Sequence, residues 1–355
     1  MVGNAHPGTM RAAVLRGPGD LVVEQRPVPS PDADEVLVAV TAVGVCGSDV
    51  HYYEHGRIGD FVVREPLVLG HEAGGTVVAV GDHVPDNRMG ERVALEPGAP
   101  CRRCVQCRHG RYNLCPGIRF FGTPPVDGAF CEYVVIPADL AYAVPDAVSD
   151  DAAGLIEPLS VGVWANLKAG TTTGSSLLVS GAGPIGLLVA AVASSRGVVD
   201  VLVSDVDPSR LEMAKQYGAT QVIDATDPAA LHDVDVDAYV DCSGVPAAIA
   251  AGILTVRPAG TVVLVGMGAD EAALPVSRIQ QREISITGTF RYANTWPAAV
   301  ELAASGDVDL DGLVTGHVDL EHVEDALAPD PDEQHVKIVV RPGHPVETSS
   351  SGSTR

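Results

Sequence analysis

Cys46, His71 and Glu72 bring a thiol, an imidazole and a carboxylate onto two short stretches, Cys46-Gly47-Ser48-Asp49-Val50-His51 and Gly70-His71-Glu72-Ala73-Gly74-Gly75. That donor set suits a zinc ion held by three protein ligands, with the fourth position left open for chemistry. Taken singly, the residues read differently: a His-Glu pair among glycines is an ordinary turn, and a lone cysteine is a small buried hydrophobe. The combination is what favours zinc. The glycines, closed by Gly81 and Val84, predict a sharp bend that carries His71 and Glu72 into a crowded site.

A second group, Cys101, Cys104, Cys107 and Cys115, follows in the spacing C-x2-C-x2-C-x7-C, with Arg102, Arg103, Arg108 and His109 between the thiols. Four thiolates at such intervals can wrap a tetrahedral zinc without long chain closure, and the cations offset part of their charge. An iron-sulfur cluster also uses four thiolates, and a reduced loop without metal is the other alternative. A four-ligand site is closed, so its expected role is to hold a lobe in shape.

The third signal is Gly181-Ala182-Gly183-Pro184-Ile185-Gly186, which follows the apolar run Leu177-Leu178-Val179-Ser180 and opens a helix-like Leu187 to Ser195. Between a strand and a helix, G-x-G-x-x-G acquires meaning: a tight turn, close backbone approach to a pyrophosphate, and close helix packing. The helix N-terminus then offers unpaired N–H groups to the phosphates. The next strand, Asp200 to Asp205, ends in an acid suited to both ribose hydroxyls, which predicts NAD over NADP. Arg210, five residues on, could tolerate a phosphate instead. Asp207 is expected to cap the helix from Pro208 to Tyr217.

The elements that must position these groups change character along the chain. From Met10 to about Val84 short β-rich runs are broken by Gly and Pro, and Val36-Leu37-Val38-Ala39-Val40 alternates as a half-buried antiparallel strand does. From about Leu155 strands alternate with helices: Gln221 to Ile223, Ala238 to Val240, Thr261 to Val265 and Ile284 to Ile286 read as strands, Ala247 to Val256 as a helix. That order implies a doubly wound parallel sheet. A helix from Trp296 to Ala304 and a strand from Val336 to Val340 follow, the strand returning to the N-terminal β-domain. The dinucleotide domain is thus expected as an insertion, leaving a cleft. Residues 1 to 10 and Glu347 to Arg355 read as frayed ends.

A chain of 355 residues implies two domains. Its net charge of −23 argues against nucleic acid, which needs clustered Lys and Arg, and is compatible with a salt-rich cytosol or with an acidic, arginine-biased lineage. No apolar run approaches the roughly 20 residues of a membrane span, and no basic-then-apolar signal opens the chain. A soluble, cytoplasmic protein is expected. Seven cysteines make no even disulfide set, and four crowd one loop, which favours metal.

Cys46-Gly-Ser-Asp, the G-H-E-x2-G-x5-G-x2-V stretch from Gly70 to Val84, the four-cysteine loop and the Gly181 fingerprint occur in that order. Together they resemble the zinc-containing medium-chain alcohol dehydrogenases, over nearly the whole chain. Val50 to Gly56, Glu96-Pro97-Gly98, Gly122 to Pro125, Ile156 to Ser160 and Phe290 to Pro297 resemble the sorbitol (L-iditol) and xylitol dehydrogenase branch. The resemblance implies an α/β fold with a GroES-like β-rich catalytic domain, residues 1–160 and 291–355 with the structural-zinc loop at 98–116, and a Rossmann NAD-binding domain at 161–290. It also implies a homo-oligomer, dimer or tetramer, joined through the nucleotide domains, and NAD-dependent oxidation of a polyol's secondary alcohol to a ketose.

Carried over residue by residue, the resemblance makes Cys46, His71 and Glu72 the catalytic zinc ligands. Glu157 holds the water or replaces Glu72. Tyr52, Glu157, Arg291 and Tyr292 become polyol contacts, with Phe120 and Thr123 as pocket wall. Gly181, Gly183, Ile185, Gly186, Asp205, Arg210, Val265, Gly266, Met267, Thr289, Phe290 and Arg291 become cofactor contacts. Cys101, Cys104, Cys107 and Cys115 hold a second, structural zinc, which some sorbitol dehydrogenases lack. In the expected chemistry Ser48 passes the alcohol proton toward solvent by way of the cofactor ribose and His51, and Asp49 orients His71, with Lys337 beside it. The rivals are an L-threonine, L-idonate or simple alcohol dehydrogenase and, from another class, a non-catalytic NAD-binding redox sensor.

Overall fold

In the computed structural model, which describes residues 7–227, 229–328 and 335–343, the alternating run at Val36 lies within the strand Glu35–Gly44. That strand is the hub of a sheet running Ala141–Ala143, Arg92–Leu95, Glu72–Val80, Glu35–Gly44, Lys337–Arg341, Val314–Asp319, with Tyr133–Pro137 also paired to it. Its buried valines join Leu15, Leu69, Phe130 and Val340 in one core. The strand Lys337–Arg341 returns to the β-rich part, where Val339 lies opposite Gly44.

Gly44 faces Glu72 on its other side. A Cβ there would stand 2.1 Å from Glu72 Oε2, so the missing side chain leaves the gap into which Glu72 folds. The expected sharp bend is confined to Gly70, which has φ +88°; Glu72 itself begins the strand Glu72–Val80.

Two helices were not legible in advance. Gly47–His55 buries only Asp49 and Tyr52, so it shows no apolar stripe of helical period. It is set instead by its ends: Cys46 N donates to Asp49 Oδ2 at 3.0 Å in a capping box, and Gly56 closes it at φ 68°. Asp150–Ala169 is buried on almost every side over its first half and carries Pro158 in its interior, so neither periodicity nor composition announces it.

The second unit is built on six parallel strands in the order Gln221–Asp224, Asp200–Asp205, Ser176–Ser180, Val236–Asp241, Val256–Leu264, Ser285–Gly288. The expected helix over 247–256 is Pro246–Leu254, and Val256 already begins the next strand. Asp207 caps Pro208–Gln216 by accepting from Ser209 N at 2.8 Å.

By packing, the chain divides into one unit made of the part up to Cys101, Gly117–Glu157 and the part from Leu310 on, and another of Arg102–Pro116 and Pro158–Asp309. The second unit therefore runs past the expected boundary at 290 and takes in most of the cysteine loop. Polar ties account for this: Asn113 Nδ2 donates to Phe290 O at 2.8 Å, Asn294 N to Tyr112 Oη at 2.8 Å, and Tyr217 Oη to Asp309 O at 2.8 Å. Thr9 and Met10, expected in a loose leader, belong to the strand Thr9–Gly17. The expected tail from Glu347 lies outside the described residues. Among those residues no helix is long and apolar enough to cross a membrane.

Candidate metal centre and cofactor cavity

Cys46 ends the approach to the helix Gly47–His55, His71 follows the Gly70 turn, and Glu72 opens its strand; together they offer one sulfur, one nitrogen and one oxygen, all within 4.8 Å of one another. Asp49 joins the two stretches, since Oδ2 accepts from Cys46 N and Oδ1 from Gly70 N, each at 3.0 Å. Its Oδ1 is also 3.7 Å from His71 Nδ1, too far for a hydrogen bond but close enough to favour charge on the ring. Burial opposes a charged His71, yet Asp49 and Cys46 outweigh it and hold the imidazole well above its ordinary pKa. Binding a metal there would expel that proton.

Beneath the trio lies Lys337, 4% exposed, whose Nζ donates to Glu72 Oε1 at 2.9 Å, Glu72 Oε2 at 2.8 Å and Val45 O at 2.9 Å. Burial works against its charge, but Glu72 first, then Cys46 and Glu157, keep its pKa raised. Lys337 was expected beside Asp49 and His71; its hydrogen-bonded carboxylate is Glu72. Cys46, Glu72 and Glu157 all act on the Lys337 ammonium, and the chemistry of the donor set is that of a site completed by a divalent cation; zinc fits its S, N and O atoms.

Glu157, buried in the helix Asp150–Ala169, is not among the atoms that meet within 4.8 Å. Tyr52 is buried in the β-rich core, and Phe120 places its ring 5.7 Å from that of His71. Ser48 and Thr123 are half-buried, whereas His51 is exposed.

Cys101, Cys104, Cys107 and Cys115 gather within 4.8 Å as well. Cys104 Sγ lies 3.4 Å from Cys107 Sγ and accepts from Cys107 N at 3.5 Å. None of the seven cysteines is joined in a disulfide. Four sulfurs at such spacing fit a closed tetrahedral zinc, and the Arg-rich loop offsets the charge of its thiolates.

In the parallel-sheet unit a cavity of about 910 Å³ opens at the carboxyl ends of the central strands, lined by Gly181, Gly183, Asp205, Arg210, Ser243 and Arg278 among others. A doubly wound sheet places a dinucleotide there. Gly186 cannot be replaced without strain, since a Cβ would stand 1.8 Å from Gly181 O. Asp205 serves twice: it lines the cavity, and its carboxylate accepts from Ala182 N at 2.6 Å and Asp207 N at 2.9 Å, so it also fixes the glycine turn. Arg210 Nε lies 3.8 Å from Asp207 Oδ2. Ile185 lies in the first turn of the helix Pro184–Ser195.

Val265 and Gly266 both donate to Asp241 O, and Thr289 N donates to Leu264 O at 2.9 Å. Met267 and Phe290 are exposed. Arg291, at φ 55°, sets its guanidinium 4.8 Å over the Phe290 ring, and Tyr292 is buried edge-on against Trp296.

Two residues that shape these sites, Asp241 and Arg278, escaped sequence reasoning, and a third, Lys337, was expected there without its partner Glu72. Lys337 sits inside an apolar strand in a chain very poor in lysine, which is a usable signal. Asp241, fully buried, closes an apolar strand and accepts from Ser243 Oγ at 2.6 Å and Gly244 N at 3.0 Å, so it shapes the loop beside the cavity. Arg278 donates to Leu254 O at 2.6 Å with its Nε buried and unpaired; nothing in its helix marks it.

Comparison with known proteins is consistent with this geometry. The alcohol dehydrogenase GroES-like domain matches residues 32–146 and the zinc-binding dehydrogenase domain residues 184–305. The chain is 44% identical over 329 residues to a sorbitol dehydrogenase of Bacillus subtilis, covering 90% of this chain and 93% of that protein. An alcohol dehydrogenase of Escherichia coli CFT073, solved with NADH, superposes with a TM-score of 0.88 at 31% identity, covering 94% of this chain and 99% of that one. L-idonate 5-dehydrogenase of Escherichia coli K-12 superposes with a TM-score of 0.88 at 29% identity, covering 94% and 98%.

Proposed function

The chain belongs to the zinc-containing medium-chain alcohol dehydrogenase family, within the branch of the sorbitol dehydrogenases, and from that premise we propose that it oxidises a secondary hydroxyl of a sorbitol- or xylitol-like polyol to the ketone, with NAD as acceptor. The observation that carries this reading is the trio Cys46, His71 and Glu72, assembled in a chain so close to sorbitol dehydrogenases along nearly its whole length. When bound, zinc supplies Lewis acidity toward a hydroxyl oxygen and NAD supplies the hydride acceptor.

The chain's own residues do the rest. Cys46, His71 and Glu72 hold the ion, and Lys337 fixes Glu72 in place by donating to both its carboxylate oxygens. Glu157 holds the water or substitutes for Glu72 as ligand. Ser48 takes the substrate's hydroxyl proton and hands it outward toward exposed His51. Tyr52, Glu157, Arg291 and Tyr292 bind the further hydroxyls of the polyol, with Phe120 and Thr123 as apolar and polar wall. Gly181, Gly183 and Gly186 admit the pyrophosphate, and Asp205 accepts from the ribose and disfavours a 2′-phosphate. Ile185, Arg210, Val265, Gly266, Met267, Thr289, Phe290 and Arg291 complete the cofactor contacts. The β-rich unit is thus the catalytic domain and the parallel-sheet unit the nucleotide domain. The four-thiol loop takes a structural zinc. A cytoplasmic homo-oligomer fits cysteines that form no disulfide and the strand Ser285–Gly288, which is the edge of its sheet among the described residues.

A polyol panel followed by NADH absorbance, with and without a chelator, tests the reading. Turnover of sorbitol, xylitol or a stereoisomer, lost on chelation and restored by zinc, is expected. Turnover confined to sugar acids would move the substrate to the class of the L-idonate enzyme, and polyol oxidation that survives metal removal would overturn the mechanism.

A further inference from the structure

The helix Gly47–His55 presents a pair of histidines that the proposed reaction uses only in part. His51 and His55 stand at i and i+4, on one face of the helix. Their ring centres are 4.8 Å apart with planes inclined at 69°. Both residues are exposed, and among the described residues no side-chain hydrogen bond engages the His51 ring. Glu54 brings Oε2 to 3.8 Å from His55 Nε2.

An ion about 2.0–2.1 Å from one nitrogen of each ring lies roughly 3.2 Å from each ring centre, which puts the centres about 4.5–5.2 Å apart for angles of about 90–109° at the ion. The observed spacing falls inside that window. Two histidines four apart on one helical face are a recurrent zinc-binding arrangement because the helix itself fixes their separation. Water completes the coordination of such a two-imidazole site, and the net charge of −23 raises the local concentration of cations. The alternative, a simple edge contact between two solvated rings, leaves both nitrogen pairs to water.

We propose that His51 and His55 form a separate two-imidazole site for a divalent ion of the imidazole-preferring class, zinc or nickel, its remaining positions taken by water. It shares no donor with Cys46, His71 and Glu72 or with the four-thiol loop. Its occupation ties up His51. Reversible inhibition by excess zinc is the consequence, and that consequence, unlike the binding, rests on the proposed proton path through His51.

The test uses the zinc-replete full chain, titrated calorimetrically with zinc and, separately, with nickel. The wild type takes up a further ion beyond the two proposed zinc sites. His55→Ala and His55→Gln, both at an exposed position, lose that uptake or weaken it about tenfold or more, while tightly held zinc and turnover in the absence of added metal stay at wild-type values. Excess zinc inhibits the wild type and inhibits these variants far less. Equal uptake by the wild type and both variants overturns the site. Uptake that depends on His55 without any inhibition leaves the site standing and removes His51 from the proton path.

Discussion

The two cysteine-bearing clusters gather donors within the same 4.8 Å, yet their construction differs at every level. The four-thiol loop draws all its donors from Cys101 to Cys115, uses one donor type, and is surrounded by exposed arginines. The Cys46 trio joins a helix end, a turn and a strand start, mixes three donor types, and rests on a buried carboxylate and a buried ammonium. A local, uniform, four-donor set closes around an ion and staples the chain, whereas a mixed three-donor set leaves one position for a reacting atom. Mixed donors also demand more from their surroundings, since each must be oriented by something else.

The sharpest way to break this contrast is to remove one thiol from each cluster. Cys46→Ser should lower turnover by at least about 10²–10³-fold, beyond the 10–100-fold typical of losing an outer partner, with NAD binding by fluorescence titration unchanged. Cys104→Ser should leave the trio's chemistry near wild type and act on stability instead. If Cys104→Ser abolished turnover in a folded, stable protein, the division of labour between the clusters would be wrong. A graded chelator series sharpens the same point: activity should fall while the melting temperature is still held, because the closed site releases its ion last.

Next in size is Lys337→Met. Removing the ammonium leaves Glu72 buried without its hydrogen-bonded cation, at a cost of about 3–5 kcal/mol in the metal-free protein. Zinc should recover part of that loss. A variant as stable as wild type without metal would show that Lys337 is not the counter-charge of the trio. Among the described residues no buried lysine is shown against the four-thiol loop, so the loss there, Cys104→Ser, is expected to cost less, about 1–3 kcal/mol in denaturant unfolding.

What could be read from sequence follows the same division. The loop cysteines are near neighbours in the chain, so spacing alone brought them together, and the glycine fingerprint likewise announced its strand, turn and helix. The trio's donors were legible as residue types. Their supports were less so: Lys337 meets Glu72 only because Gly44 lies between their strands and lacks a side chain, a fact of sheet register. The helix Gly47–His55 is defined by its caps rather than by a stripe, and Asp150–Ala169 by burial on nearly all sides, so periodicity could report neither. Arg278 reaches the cofactor cavity from a helix about seventy residues beyond the fingerprint's second strand, and no motif spans that interval.

The smallest effect separates the trio from the cofactor cavity. Asp205→Ala removes an acceptor that would bind the ribose and also frees Ala182 N and Asp207 N. The lost charge-assisted bonds are worth about 1–2 kcal/mol, so the Michaelis constant for NAD should rise by roughly tenfold and the preference over NADP should narrow. Because the same carboxylate pins the glycine turn, the variant also loses a structural tie, and the two roles can be separated. Asp205→Asn keeps an acceptor oxygen for one backbone N–H but carries no charge to repel a 2′-phosphate. If charge sets the preference, Asn and Ala should accept NADP equally well while Asn keeps more of the NAD affinity. If Asn retains the wild-type preference, the discrimination lies with other groups of the cavity, and zinc content at the trio should be indifferent to either change.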